Sequence, residues 1–181
     1  MISAILYKSA TGSCERYAHI MSRKLALPSY PVDACPLPKG MEVIFIGWLM
    51  NGKVQGLAKA QKNYAVKAVV PVGMSLPTGA ALEAYKEKNG LDSTTPVFGV
   101  QGAFHMDRLS FPMRLIMKKV NQSIVKRLEG KGQLSDAEQA TLTMAETGDG
   151  EPATWDGIDA AVEWALQQRE PLNVMKWYEP Q

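Results

Sequence analysis

Nearly continuous apolar runs that alternate with helical patterns are the feature that most limits how this chain can fold. Four such runs occur, at residues 2–7, 43–46, 65–72 and 96–100. Runs without a polar residue at every second position are typical of strands that helices cover on both faces. A shorter candidate at 29–33 contains Pro31, which places it at a sheet edge. The alternation predicts an α/β fold with a parallel sheet.

Helical patterns lie between and after these runs. They cover residues 13–26, 53–63, 78–89, 109–128, 135–146 and 154–169. Asn89-Gly90 is a helix-stop signal, and Ser135 with Glu138 forms a capping-box pattern. Within 109–128, one inward stripe is expected to contain Leu109, Met113, Ile116, Met117, Val120, Ile124 and Leu128. Right-handed crossovers between parallel strands make a three-layer sandwich the expected architecture.

Length, charge and cysteine content limit the class of protein. The 181 residues predict a single domain over 1–181, and a net charge of +2 is too small to indicate nucleic-acid binding. Cys14 and Cys35 have no partners at metal-ligand spacing, which indicates a reducing compartment and no metal site. The apolar start is too short for a signal peptide, and no run approaches the roughly 20 residues of a membrane span. We therefore expect a cytoplasmic protein.

The loop after the first apolar run carries hydroxyl groups around a glycine. Ser9, Thr11 and Ser13 surround Gly12 directly before a predicted helix. Ligands of parallel α/β sheets bind at the carboxyl ends of the strands, and a helix N-terminus there favours anions. The loop matches neither the triphosphate-binding nor the dinucleotide-binding glycine motif. It either binds a phosphomonoester or is a capped helix start without a ligand.

Two further strand-end loops contain apolar and aromatic side chains. The loop 46–53 holds Trp48, Leu49 and Met50, followed by Asn51 and Gly52. The loop 101–107 holds Gly102 and Ala103, which let a ligand approach the backbone, and then Phe104. Each loop alone could simply cover the end of the sheet. Together with the hydroxyl-rich loop, they predict a site for a phosphorylated planar ring.

Four segments in order resemble one protein family. They are Y-K-S-A-T-G-S-C-E (7–15), G-W-L-M-N-G-K (47–53), V-F-G-V-Q-G-A-F-H-M-D-R-L-S-F-P-M-R-L-I-M-K-K (97–119) and E-P-A-T-W-D-G-I (151–158). The chain resembles the flavodoxins, and more closely a flavodoxin-like group related to the menaquinone-dependent protoporphyrinogen dehydrogenases. The resemblance implies a flavodoxin-like five-stranded parallel sheet in the order 2-1-3-4-5. It also implies flavin mononucleotide (FMN) as cofactor.

The resemblance also implies which residues contact the cofactor. Those of the phosphate loop are Ser9, Ala10, Thr11, Gly12, Ser13 and Cys14. Those beside the ribityl chain and one side of the ring are Trp48, Leu49, Met50, Asn51 and Gly52, and those on the other side are Gly102, Ala103, Phe104 and His105.

Two departures from the family pattern affect the site. Cys14 replaces the usual threonine, which implies weaker flavin retention or a redox-sensitive site. His105-Met106 stands where relatives often have Asp-Tyr, so no catalytic residue is assigned. His105 either moves protons near the ring or is a surface residue.

The implied function is flavin-dependent electron transfer or oxidoreduction, including a protoporphyrinogen dehydrogenase-like reaction. Its partner would be a redox protein, a small molecule or a quinone acceptor. The basic helix 109–128 would then meet the substrate or a membrane surface, or else be a solvated face. The alternative is a flavodoxin-fold binding protein that has lost its flavin. Trp177 and Tyr178 either pack back on the domain or contact a second subunit, which leaves the oligomeric state open.

Overall fold

The computed structural model describes residues 1–77 and 79–169, so Trp177 and Tyr178 lie outside the described residues. Its strands are β1 (Ala4–Lys8), β2 (Ser29–Pro31), β3 (Glu42–Met50), β4 (Lys53–Val54), β5 (Ala65–Gly73), β6 (Val100–Gln101), β7 (Phe104–His105) and β8 (Asp149–Gly150). The central sheet has the order β2-β1-β3-β5-β6, with all four pairings parallel. The expected order of five parallel strands is therefore confirmed. β4 adds a sixth, antiparallel strand beside β3 that was not expected.

Helices cover both faces of this sheet. They are α1 (Ser13–Leu25), α2 (Leu57–Asn63), α3 (Ala80–Lys88), α4 (Phe111–Glu129), α5 (Asp136–Thr147) and α6 (Asp159–Gln167). Alternate strand residues enter two separate cores, because successive side chains point to opposite faces. Ile5 and Ile44 belong to the core beneath α1 and α6, whereas Leu6 and Phe45 belong to the core beneath α2. The three-layer α/β sandwich expected from the sequence is thus confirmed.

The segment 46–53 is not the loop that we expected. β3 continues through Trp48 to Met50 and turns back into β4 at Asn51 (φ 50°) and Gly52 (φ 74°). Two consecutive left-handed residues form the hairpin turn for which Asn-Gly is the strongest local signal. The following helix consequently begins at Leu57 rather than at residue 53.

A small subdomain follows β6 and holds two more helices. α4 packs against α5, and β7 pairs with β8 in a two-stranded antiparallel sheet. The predicted capping box is present, because the Ser135 hydroxyl accepts from the Glu138 N–H and the Glu138 carboxylate accepts from the Ser135 N–H. β8 lies between the predicted helices 135–146 and 154–169, where the sequence analysis expected no strand.

The inward stripe expected on α4 is only partly buried. Leu109 and Leu128 are buried as expected, but Ile116 and Val120 are exposed. The prediction was wrong for these two because the packing of α4 against α5 leaves Ile116 and Val120 uncovered. No helix of the described residues is both long enough and apolar enough to cross a membrane.

Candidate functional site

The carboxyl ends of the central strands meet along one edge of the sheet. Lys8 pairs with Gly47 at the end of β1, Trp48 pairs with Val72, and Gly73 pairs with Gln101 at the end of β6. β1 lies between β2 and β3 in the sheet. The strand order therefore reverses beside β1, and this edge includes the switch point. Ligands of open α/β sheets bind at this position.

The N-terminus of α1 offers backbone N–H groups at this edge. Gly12 occupies the N-cap position with φ 106°, and no side chain caps the helix. The Gly12 N–H donates to Ser9 Oγ (3.1 Å), which closes the loop into a tight turn. Arg16 is the first helical residue whose N–H reaches a backbone acceptor, the Gly12 carbonyl at 2.9 Å. The amides of residues 13–15 are thus free of intrahelical partners and suit an anion.

The loop after β6 lies directly against this helix start. Ser13 Oγ donates to the Ala103 carbonyl oxygen (3.1 Å), a bond between residues 90 positions apart in the chain. A Cβ on Gly102 would lie 2.5 Å from Val72 Cγ1 and 3.1 Å from Ser13 Cβ. Only glycine fits there, because any side chain would separate the two loops. The structure therefore brings together the first and third predicted loops.

Arg108 places a positive charge on the hydroxyl-rich loop. Its Nη1 donates to the Thr11 carbonyl oxygen at 2.9 Å and lies 3.5 Å from where a Cβ on Gly12 would be. The sequence analysis assigned no cation to this loop and did not identify Arg108. The partners are 97 residues apart, so local pattern could not have revealed the contact.

Lys8, at the end of β1, is engaged elsewhere. Its ammonium group bonds to Asp33, which also accepts from Lys59 Nζ at 2.8 Å. Hydrogen bonds from Lys59 and then Lys8 lower the pKa of Asp33 to about 2. Arg108 therefore hydrogen-bonds to the hydroxyl-rich loop, whereas the Lys8 ammonium group is bonded to Asp33.

The predicted second loop divides between the two faces of the sheet. Trp48 is half-buried against the core beneath α1, whereas Leu49 packs on the opposite core. The tip of the hairpin leans on α3, since Asn89 Nδ2 donates to the Gly52 carbonyl oxygen at 2.9 Å. Trp48 thus lies on the α1 side of the sheet, whereas Gly52 is held beside α3.

Phe104 and His105 belong to the small subdomain. Phe104 is only 7% exposed and packs with Leu109 and Met144, so its ring is not an open wall. His105 Nδ1 lies 2.5 Å from Asp149 Oδ1 across the β7–β8 pair. With Asp107, these two groups bring three potential metal-ligand atoms within 4.8 Å of one another. A cavity of about 680 Å³ adjoins them, and Arg108 and Arg114 also line it.

Cys14 is a core residue. Its side chain is 1% exposed, and burial raises the pKa of the thiol far above its ordinary value. A thiol in this state is protonated at neutral pH and reacts slowly. Only its backbone N–H is placed to meet a ligand at the helix start.

Gln101 is a buried hub that sequence reasoning did not identify. Its Nε2 donates to Thr141 Oγ1 (3.0 Å) and the Ala137 carbonyl oxygen (2.8 Å) of α5. Its Oε1 accepts from the Ala153 N–H (3.2 Å), and its carbonyl oxygen accepts from the Tyr17 hydroxyl (2.6 Å). These bonds fix the end of β6 relative to α1 and α5. A lone glutamine after an apolar run carries no signal of such a role.

Comparison of the sequence with protein-family models and with curated proteins gave no match. The functional conclusion therefore depends on the fold and on the geometry of these loops.

Proposed function

We propose that this protein binds FMN at the carboxyl edge of the sheet and uses it as a redox protein. The observation that carries the proposal is the uncapped N-terminus of α1, closed on one side by the Ser13–Ala103 hydrogen bond. The phosphate would accept from the N–H groups of residues 13–15 and from the hydroxyl of Thr11. Arg108 would add the positive charge that a phosphate dianion favours.

The chain's own residues would also orient the ring. The half-buried Trp48 lies on the α1 side of the sheet and offers an aromatic face. Gly102 lets the third loop pack against Val72 and Ser13, so the backbone of that loop would lie beside a ligand held at the start of α1. When bound, the flavin would supply the electron chemistry, and the protein would fix its position and its access to water.

The surface charge favours an oxidoreductase over a shuttle between proteins. The net charge is +2, and every charged residue of α4 before Glu129 is basic. A shuttle that docks on basic partners needs an acidic face instead. By the resemblance alone, a porphyrinogen or a quinone is the candidate reactant.

A flavodoxin-fold protein without flavin is the second candidate function, because two residues that the resemblance implied beside the ring are engaged elsewhere in the fold. Phe104 is buried in the small subdomain, and Gly52 is held against α3. A smaller phosphorylated ligand would use the helix start and Arg108 without these walls.

A titration with flavins tests the proposal and separates the two candidates. Protein purified without added cofactor is titrated with FMN, riboflavin and flavin adenine dinucleotide, and quenching of flavin fluorescence is measured. FMN should bind more tightly than riboflavin, because only FMN has a phosphate for the start of α1. Arg108→Ala should weaken FMN binding at least about tenfold, since charge-assisted hydrogen bonds contribute about 1.5–3 kcal/mol, and leave riboflavin binding unchanged.

Arg127→Ala, which removes an exposed cation of α4, is the matched control and should change neither affinity. Binding of neither FMN nor riboflavin would contradict the FMN proposal and favour the second candidate.

A further inference from the structure

A cleft of about 860 Å³ separates the second half of α4 from the end of α5. Its α4 wall is formed by residues 118, 121, 122, 125, 126 and 129, which recur at intervals of three and four residues and so lie along one side of the helix. The step from 118 to 129 is about 16 Å long. A cleft of this length and volume is large enough for a small-molecule ligand.

Asn121 lines this cleft with a buried side chain that lacks a hydrogen-bond partner. The residue is 5% exposed, and among residues 1–77 and 79–169 its Oδ1 is the one buried side-chain polar atom without a partner. The buried residues Ser13, Gln101 and Thr141 all form side-chain hydrogen bonds. Because native proteins pair nearly all buried polar atoms, an unpaired acceptor beside a cleft indicates that a group outside the chain supplies the donor.

Charged side chains of both signs line the same cleft. Lys118, Lys126 and Glu129 lie on α4, and Glu146 lies on the facing helix α5. In the part of the chain that the structure describes, none of these four groups lies within 4.0 Å of an opposite charge. With two cations and two carboxylates, the cleft favours neither a simple anion nor a simple cation. It suits a ligand that carries both an ammonium group and a carboxylate.

We propose that this cleft binds a short peptide with free ends. The N-terminal ammonium group would donate to Glu146, and a peptide N–H would donate to Asn121 Oδ1, since the last torsion of an asparagine side chain turns freely enough to aim the oxygen at a donor. The C-terminal carboxylate would accept from Lys118 or Lys126. A free amino acid has the two charges but no peptide N–H for Asn121. This inference does not rest on flavin binding.

The distances along α4 set the length of the peptide. Lys118 and Lys126 are eight residues apart in the sequence, which is about 12 Å along the helix axis. An extended tripeptide is about 10–11 Å long. A tripeptide therefore matches this stretch of the helix, with Asn121 between the two lysines. Met106 and Val125, which also line the cleft, offer apolar contacts to the peptide side chains.

A nuclear magnetic resonance titration of the full ¹⁵N-labelled chain with trialanine tests the proposal. Trialanine should shift the side-chain amide signals of Asn121 and the backbone signal of Gly148, another cleft residue, saturably at millimolar concentration. Free alanine, and trialanine with both ends capped by acetyl and amide groups, should each bind at least about tenfold more weakly, because each lacks partners that the cleft offers. Absence of saturable shifts at the cleft would overturn the proposal and leave water as the partner of Asn121. Equal affinity for the capped peptide would overturn it as well.

Two charge variants assign the ends of the peptide. Glu146→Gln should weaken trialanine binding at least about tenfold but leave the binding of N-acetyl-trialanine unchanged, because only the free peptide has an ammonium group. Lys118→Gln with Lys126→Gln should weaken the binding of trialanine but not that of trialanine amide. Glu163→Gln, which changes an exposed carboxylate of α6, is the matched control and should keep the full affinity. Equal losses for the free and the capped peptides would overturn the proposal.

An apolar variant separates a ligand contact from a structural role. Asn121→Leu keeps the approximate size of the side chain but removes its acceptor, so trialanine binding should fall at least about tenfold. The midpoint of urea unfolding should not fall, because Oδ1 has no partner among the described residues to lose. A lower midpoint with unchanged trialanine binding would show that the amide is structural and would overturn the proposal.

Discussion

Replacing Gly102 with alanine should destabilise the fold at the contact that forms the candidate site. The added Cβ would lie 2.5 Å from Val72 Cγ1 and 3.1 Å from Ser13 Cβ, whereas carbon atoms pack at about 3.5–4.0 Å. The backbone of Val72 is paired with Trp48 on one side and Val100 on the other, so it is held in place in the sheet. Relief must come from moving the loop away from α1, at the overpacking cost of about 1–3 kcal/mol.

Urea denaturation measures this loss as a shift of the unfolding midpoint at unchanged slope. The matched control is Gly132→Ala, where a Cβ would meet nothing within 4 Å; its free energy of unfolding should change by less than about 0.5 kcal/mol. Val72→Ala removes the atom that the new Cβ would meet, so the two substitutions should not be additive. The double variant should lose at least about 1 kcal/mol less free energy of unfolding than the sum of the losses of the two single variants. Gly102→Ala unfolding at the same midpoint as the unmodified chain would refute the reasoning.

Three further outcomes follow from the same geometry. Tyr17→Phe removes the buried 2.6 Å bond to the Gln101 carbonyl oxygen and should lower the free energy of unfolding by about 1–2 kcal/mol in urea titration; an unchanged midpoint would contradict it. In the folded protein Cys35 should react with a thiol reagent well before Cys14, which is buried with a raised pKa; equal rates of the Cys14→Ser and Cys35→Ser variants would contradict it. Because hydrogen bonds from lysines lower the pKa of Asp33 from 3.8 to about 2, its contribution to stability is complete above about pH 4 and is lost as the pH falls towards 2. Asp33→Asn should therefore flatten the fall of stability over this window in pH-dependent urea titration, and an unchanged slope there would contradict the assignment.

The sheet was predictable because its strands are buried on both faces. Residues 43–46 are apolar throughout and 65–72 are apolar except at Lys67. Such runs are typical of strands that helices cover on both faces. The hairpin at Asn51-Gly52 had an equally clear local signal. It was missed because Trp48 to Met50 was interpreted as a ligand wall rather than as a continued strand.

The parts that could not be predicted depend on distant contacts. Periodicity shows that α4 has an apolar stripe, but it does not show which helix covers it, so Ile116 and Val120 were wrongly assigned to the core. The hydrogen bond from Arg108 to the Thr11 carbonyl and the hydrogen bonds of Gln101 also could not be predicted, because they join segments far apart in sequence. The hydroxyl-rich loop itself was recognisable, because its chemistry is contained in five consecutive residues.

The measurement that tests the central claim most directly is the visible absorption spectrum of the purified chain during titration with FMN. The account predicts that the flavin bands shift and sharpen to saturation at one FMN per chain, because the ring leaves water for the edge beside Trp48. A spectrum that stays identical to free FMN at every protein concentration would contradict it.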